Sequence, residues 1–143
     1  LTPLAAIRGH ATHAQAPAWF TTAPIGAVEK LLDKTGWSKD EVDLFEINEA
    51  FAAQVLACVK AMSSARYCEQ ELGRSSPLGD LDEGKLNVNG GAIALGHPVG
   101  ATGARIVLDL LLEMRRRHAR YGIASLCVAG GLGAAMLLEA HDS

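Results

Sequence analysis

Cysteine is scarce, and its placing excludes more than its count does. Cys58, Cys68 and Cys127 are odd in number and widely spaced, so they form neither a disulfide framework nor a zinc-type pair. A reducing, cytoplasmic setting is the expectation, with an organelle equally open. Long apolar runs are absent too, and no segment reaches the length a bilayer-crossing helix needs. No signal-peptide or lipidation pattern is visible, so no membrane partner is expected. Aromatic residues are only 5% of the chain beside 15 glycines and many alanines, a mix that favours helices packed closely on a sheet with sharp glycine turns. A formal net charge of −3 gives no broad basic field, which argues against nucleic acid. His10 and His13 have no third ligand near them in sequence, so no metal is expected.

What is present describes a folded domain. The chain has 143 residues, 49% hydrophobic and 20% charged, enough for one domain with a core of its own. It opens at Leu1 rather than methionine, and is therefore expected to be a piece of a longer protein.

Residues 4–15 read as an opening strand and 17–24 as an extended connection. Pro24 suits the first turn of a helix. Ile25, Val28, Leu31 and Leu32 follow at helical spacing, and Gly36 is placed to end that helix. Ser38 with Glu41 makes a capping-box pattern. Residues 42–47 read as a strand and 49–62 as a helix burying Phe51, Val55, Leu56 and Val59. Residues 63–85 read as a polar surface excursion with one helical turn near 69–72. A short strand at 86–89 leads through a glycine-rich turn into a long helix carrying Ile106, Val107, Leu110, Leu111 and Met114 inward. That helix ends in Arg115, Arg116, Arg117 and Arg120, read as a solvated end complementing the helix dipole, with Gly122 closing it. Two strands, 123–128 and 134–139, flank Gly130-Gly131-Leu132-Gly133. Alternating strands and helices predict an α/β layered domain, a mixed and mostly parallel sheet with helices on its faces.

Ligands of such sheets gather at the carboxyl ends of strands, where Asn48, His97 and Cys127 fall. His97, between Gly96 and Pro98 ahead of a helix, can accept a proton from a thiol or donate a hydrogen bond to an oxyanion. It can equally be a histidine under a tight turn. Cys127 enters a glycine turn whose amides can stabilise an anion, although an apolar cysteine is also common core filler, the reading given to Cys58. Asn48 can cap a helix or hold a water. Glu49 can serve the helix dipole alone. The glycines at 96, 100 and 103 lack dinucleotide spacing, and no P-loop lysine follows them.

Three segments carry a family resemblance. Asn48-Glu49-Ala50-Phe51-Ala52, the stretch 87–105 around Gly96-His97-Pro98, and Cys127-Val128-Ala129-Gly130-Gly131-Leu132-Gly133 resemble, in order and spacing, the C-terminal half of the thiolases. The resemblance implies an acyltransferase forming or cleaving a carbon–carbon bond between CoA thioesters, with no further cofactor. It implies that His97 activates a nucleophilic cysteine, that Asn48 holds a water of the first oxyanion hole, and that Cys127 is the acid and base. The Ala129 N–H, beside Gly130, is implied in a second oxyanion hole, and Ala50, Phe51 and Phe20 in the acyl or pantetheine channel. The attacking cysteine and most CoA contacts belong to the family's N-terminal half, so this chain alone is expected to be inactive. That half, acyl-CoA and CoA, and further copies in a homodimer or homotetramer are the expected partners. Two departures stand out: Ala129 replaces a usual glycine, at a cost of about 1–2 kcal/mol if the backbone there is left-handed, and the 63–85 excursion is long. The competing expectation is a non-catalytic thiolase-like domain that binds CoA esters or scaffolds an assembly.

Overall fold

The computed structural model describes residues 1–141. Four strands, β1 (Ala5–Ala14), β2 (Leu44–Ile47), β3 (Tyr121–Val128) and β4 (Leu132–Ala140), form one sheet in the order β1-β4-β3-β2. Five α-helices accompany them: α1 (Ala23–Thr35), α2 (Ala52–Met62), α3 (Ala65–Leu72), α4 (Ala92–Leu95) and α5 (Thr102–Arg117). The sheet is mixed, as expected, but its parallel share is smaller than the alternation suggested. Only β2 and β3 run parallel, while β4 is antiparallel to both β1 and β3. The reason is local: the glycine turn after Cys127 closes a hairpin, and a hairpin must be antiparallel.

Strand alternation divides the interior into two cores. Phe45, Ile47, Ile123 and Leu137 face α1 and α2, meeting Ile25, Val28, Leu31, Cys58 and Met62. Their sequence neighbours Leu44, Ala124 and Leu138 face α5, meeting Ile106, Leu110 and Met114. The result is a helix–sheet–helix sandwich.

Several local rules act as anticipated. Pro24 lies in the first turn of α1, and Gly36 ends it at φ 72°. Ser38 and Glu41 complete a capping box: the Ser38 N–H donates to Glu41 Oε2 at 2.8 Å, and the Asp40 N–H to Ser38 Oγ at 3.2 Å.

Other segments differ. Residues Pro17–Thr22 form a 3₁₀ helix rather than an extended link. On α2 the buried residues are Gln54, Val55, Cys58 and Met62, whereas Phe51 and Leu56 are exposed. Val55 is buried and Val59 packs on the core as anticipated, whereas Phe51 precedes the helix, which begins only at Ala52. The 63–85 stretch holds a full helix, α3, capped by the Ser64 hydroxyl and ended by Gly73. Cys68 is wholly buried, and Tyr67, Leu72 and Leu78 pack on the core. Arg74 pairs with Glu29 of α1 at 3.6 Å. Residues 86–89 contribute an isolated bridge from Leu86 to Phe45, not a strand. His118, in left-handed conformation, ends α5, not Gly122. Gly122 lies inside β3, where a Cβ would come within 2.7 Å of Met114 Sδ; it is glycine so that α5 can approach the sheet. No described helix is long and apolar enough to cross a membrane.

Candidate active site

The carboxyl end of β2 is where the predicted groups begin to meet. The Asn48 N–H donates to Ser125 O at 2.9 Å, extending the ladder one residue past β2. Its side chain does not cap α2, whose N-cap is Phe51 with no side-chain bond. The Asn48 amide is instead 1% exposed, with neither Oδ1 nor Nδ2 bonded to any described protein atom. Two residues beyond Ser125 on β3 stands Cys127, a free thiol, buried. Burial pushes that thiol above its ordinary value, opposed by a bond to its own backbone, so it keeps its proton at neutral pH.

The hairpin after Cys127 is sterically defined. Cys127 pairs with Gly133 and Val128 with Leu132, and Gly130 and Gly131 both turn the chain at φ 89°. A Cβ on Gly131 would lie 2.1 Å from Gln15 O, and one on Gly133 would lie 2.4 Å from Ala23 O. The Gln15 N–H meanwhile donates to Gly131 O at 2.9 Å. Ala129 is not among the described non-glycine residues at positive φ, which are Asn87 and His118. Alanine therefore carries no left-handed strain there, and the anticipated penalty does not arise.

His97 sits on the exposed turn between α4 and α5. Its Nδ1 lies 2.7 Å from Thr102 Oγ1. Two residues that sequence reasoning undervalued fasten this segment to the β2 end. Asn87 acts as a surrogate strand, its Nδ2 donating to Ile47 O at 2.9 Å and its Oδ1 accepting from the Ile47 N–H at 2.8 Å. Glu49 accepts from the Ile93 N–H at 3.1 Å and from Asn87 Nδ2 at 3.3 Å. Glu49 thus binds the start of α4, not the α2 dipole, and Gly91 is glycine because a Cβ would come within 2.8 Å of that carboxylate. The sequence signal for Asn87 was that it opens the family-like stretch 87–105.

Phe20 and Phe51 meet edge to face, centroids 6.4 Å apart at 75°, with Phe51 well exposed and Ala50 half-buried beside it. Nearby, Cys58 donates to Thr21 O at 3.2 Å, and burial pushes its thiol up to about 12, an inert core group as anticipated. The arginines ending α5 are not simply solvated. Arg116 and Arg117 bond the buried Glu113, Arg116 at 2.7 and 2.5 Å, and Arg120 bonds Glu139 at 3.0 Å. His10 and His13 fall on opposite faces of β1, and His13 Nε2 lies 3.2 Å from Gln15 Oε1.

The family described as the thiolase C-terminal domain matches residues 1–140. The chain belongs to the thiolases. An acetyl-CoA acetyltransferase of Paracoccus denitrificans is 47% identical over 139 residues, which cover 97% of this chain and 31% of that protein. A 3-ketoacyl-CoA thiolase of Cronobacter sakazakii is 44% identical over 149 aligned positions, 99% of this chain and 33% of that protein. The crystal structure of the Bacillus anthracis acetyl-CoA acetyltransferase superposes with a TM-score of 0.82 at 45% identity, covering 99% of this chain and 32% of that one. Human mitochondrial 3-ketoacyl-CoA thiolase gives 0.84 at 40%, covering 98% and 31%. The chain thus spans about a third of the length of the thiolases it matches.

Proposed function

We propose that this chain is the C-terminal part of a thiolase that transfers acyl groups between acyl-CoA and CoA by reversible Claisen condensation, forming or cleaving acetoacetyl-CoA. The observation that carries the reading is the Asn48 amide, buried with both polar atoms unpaired among the described residues, at the end of β2 beside the β3 segment that carries Cys127. An unpaired buried polar group costs about 1–3 kcal/mol, so stability does not account for it. An amide aimed at a small polar species, such as a water of an oxyanion hole, does.

In this reading His97 takes the proton of a cysteine supplied by the N-terminal half, and the thiolate attacks a thioester to give an acyl-cysteine. CoA leaves with the proton of the Cys127 thiol, which thereby becomes a thiolate, while His97 keeps the proton of the attacking cysteine. Cys127 then removes the α-proton of a second acyl-CoA, and the Ala129 N–H contributes to the second oxyanion hole. The resulting carbanion attacks the acyl-cysteine and expels the cysteine thiolate. The raised thiol of Cys127 suits the reverse direction as well, because a protonated thiol can return that proton to a departing carbanion. Phe20 and the exposed Phe51 would flank the acyl or pantetheine arm.

Outward-facing Leu108 and Leu112 on α5, with Ile93, Leu95 and Val99 before it, fit a surface that the nucleophile-bearing half covers. By the same reading the chain alone is inactive, and the assembled protein is a homodimer or homotetramer. Three free thiols suit a reducing compartment.

The test is CoA-dependent cleavage of acetoacetyl-CoA by the whole protein that carries this chain. His97→Ala and Cys127→Ser are each expected to lower turnover by roughly 100-fold or more, and the chain by itself should be inert. A folded whole protein that binds CoA esters without turnover would instead support the non-catalytic CoA-binding reading.

A further inference from the structure

Thr102 is wholly buried at the first turn of α5, and its hydroxyl sits between two polar neighbours. One is His97 Nδ1 at 2.7 Å and the other is Pro98 O at 3.0 Å. A hydroxyl has one proton to give. If that proton pointed at Nδ1, Oγ1 and Pro98 O would face each other as two acceptors with nothing between them. If it points at Pro98 O, both contacts are satisfied, because Nδ1–H then donates to Oγ1. Pro98 O is itself held still by the Ala101 and Thr102 N–H groups, at 2.7 and 2.9 Å.

We propose that Thr102 fixes the tautomer of His97, keeping the proton on Nδ1 and leaving Nε2 bare to accept a proton. The hydrogen bond on one imidazole nitrogen decides the chemistry of the other. The chain of donors runs Nδ1–H to Oγ1–H to the Pro98 carbonyl, and it keeps the same direction when Nε2 gains a proton, since Nδ1 remains a donor. Thr102 also aims the ring, because it is anchored in a long helix whereas His97 lies on an exposed turn. It is a positioning residue: it acts through His97. The catalytic consequence rests on the thiolase reading; the tautomer does not.

The experiment uses the whole protein carrying this chain, labelled with ¹⁵N-histidine, with the His97 signals assigned by their disappearance in His97→Gln. Expected in the parent is an N–H-type Nδ1 and a bare, imine-type Nε2. Thr102→Val, which removes the hydroxyl and keeps the shape, should bring both tautomers into exchange and lower kcat roughly 10–100-fold, the range for losing a group that orients an imidazole, with KM nearly unchanged. Thr102→Ser should restore both the signals and the rate. A parent protonated on Nε2, or a Thr102→Val protein with the parent's ring signals and rate, overturns the proposal. Should Thr102→Val fail to fold, the parent and Thr102→Ser spectra decide it alone. Parent-like signals in a whole protein without thiolase activity would sustain the tautomer and overturn the thiolase reading.

Discussion

Glu46 is a carboxylate in the wrong place for neutral pH. It lies on β2, paired with Ala124 across the parallel ladder, only 7% exposed, and its carboxylate makes no hydrogen bond to a described residue. Burial is the main cause that raises its carboxyl from 4.5 to about 7; Asp109 and Glu49 add to the rise, and Arg105 opposes it. Arg105 gives its Nη1 to Asp109 at 2.9 Å, so its charge is already shared. Because folded Glu46 holds its proton to higher pH than the unfolded chain does, its stabilising contribution is complete below about 4.5. It is lost as pH rises towards 7. That interval, at about 1.4 kcal/mol per pH unit, sets a ceiling of about 3 kcal/mol. The cleft it shares with Asn89, Asp109 and Arg116 opens to solvent, so about 1–3 kcal/mol is expected. Glu46→Gln removes the titration and keeps the shape. Urea unfolding of both proteins from pH 5 to pH 8 should show the parent falling relative to the variant by that amount, while the histidines common to both cancel. Parallel curves, or a variant less stable than the parent at pH 8, would refute the reasoning.

Two further perturbations test the site's framework. Gly131→Ala combines left-handed strain with a Cβ set against Gln15 O, and should cost about 3 kcal/mol or more in thermal melts. Gly130→Ala, with the same φ but open space around it, should cost only about 1–2 kcal/mol; equal losses would mean that the contact with residue 15 is unimportant. Glu113, held at about 2 by Arg116 first and then by Asn89 and Arg117, contributes stability that is present above 4.5 and lost as pH falls towards 2. Glu113→Gln should therefore flatten acid unfolding over that window, followed by circular dichroism, and an unchanged acid limb would count against the Glu113 network.

Much of this was legible in the chain because local rules and tertiary needs agreed. Pro24 and Gly36 bound one helix by backbone conformation alone, Ser38 and Glu41 close a box within four residues, and Ile106, Leu110 and Met114 follow helical spacing straight onto the sheet. The α2 face was anticipated in part: Val55 and Val59 do turn to the core, but Phe51 stays outside as N-cap and Leu56 faces solvent, while Gln54 and Cys58 complete the inward stripe. The 63–85 segment looked polar, yet Cys68 of α3 and Leu81 beyond it are buried, since a few apolar residues suffice to dock such a segment.

By itself the sequence determined the family, the helices α1 and α5 on opposite faces of the sheet, and the candidacy of Asn48, His97 and Cys127, because these rest on residue types at fixed separations. Tertiary structure alone decided that β1 pairs with β4 at the sheet edge, that Ala129 is unstrained, that the Asn48 amide is buried without a described partner, and that Asn87, Glu49 and Thr102 hold the His97 turn. Each of these depends on which backbone atom or side chain from another part of the chain arrives within about 3 Å, the reach of a hydrogen bond, and no spacing along one strand or helix encodes that distance.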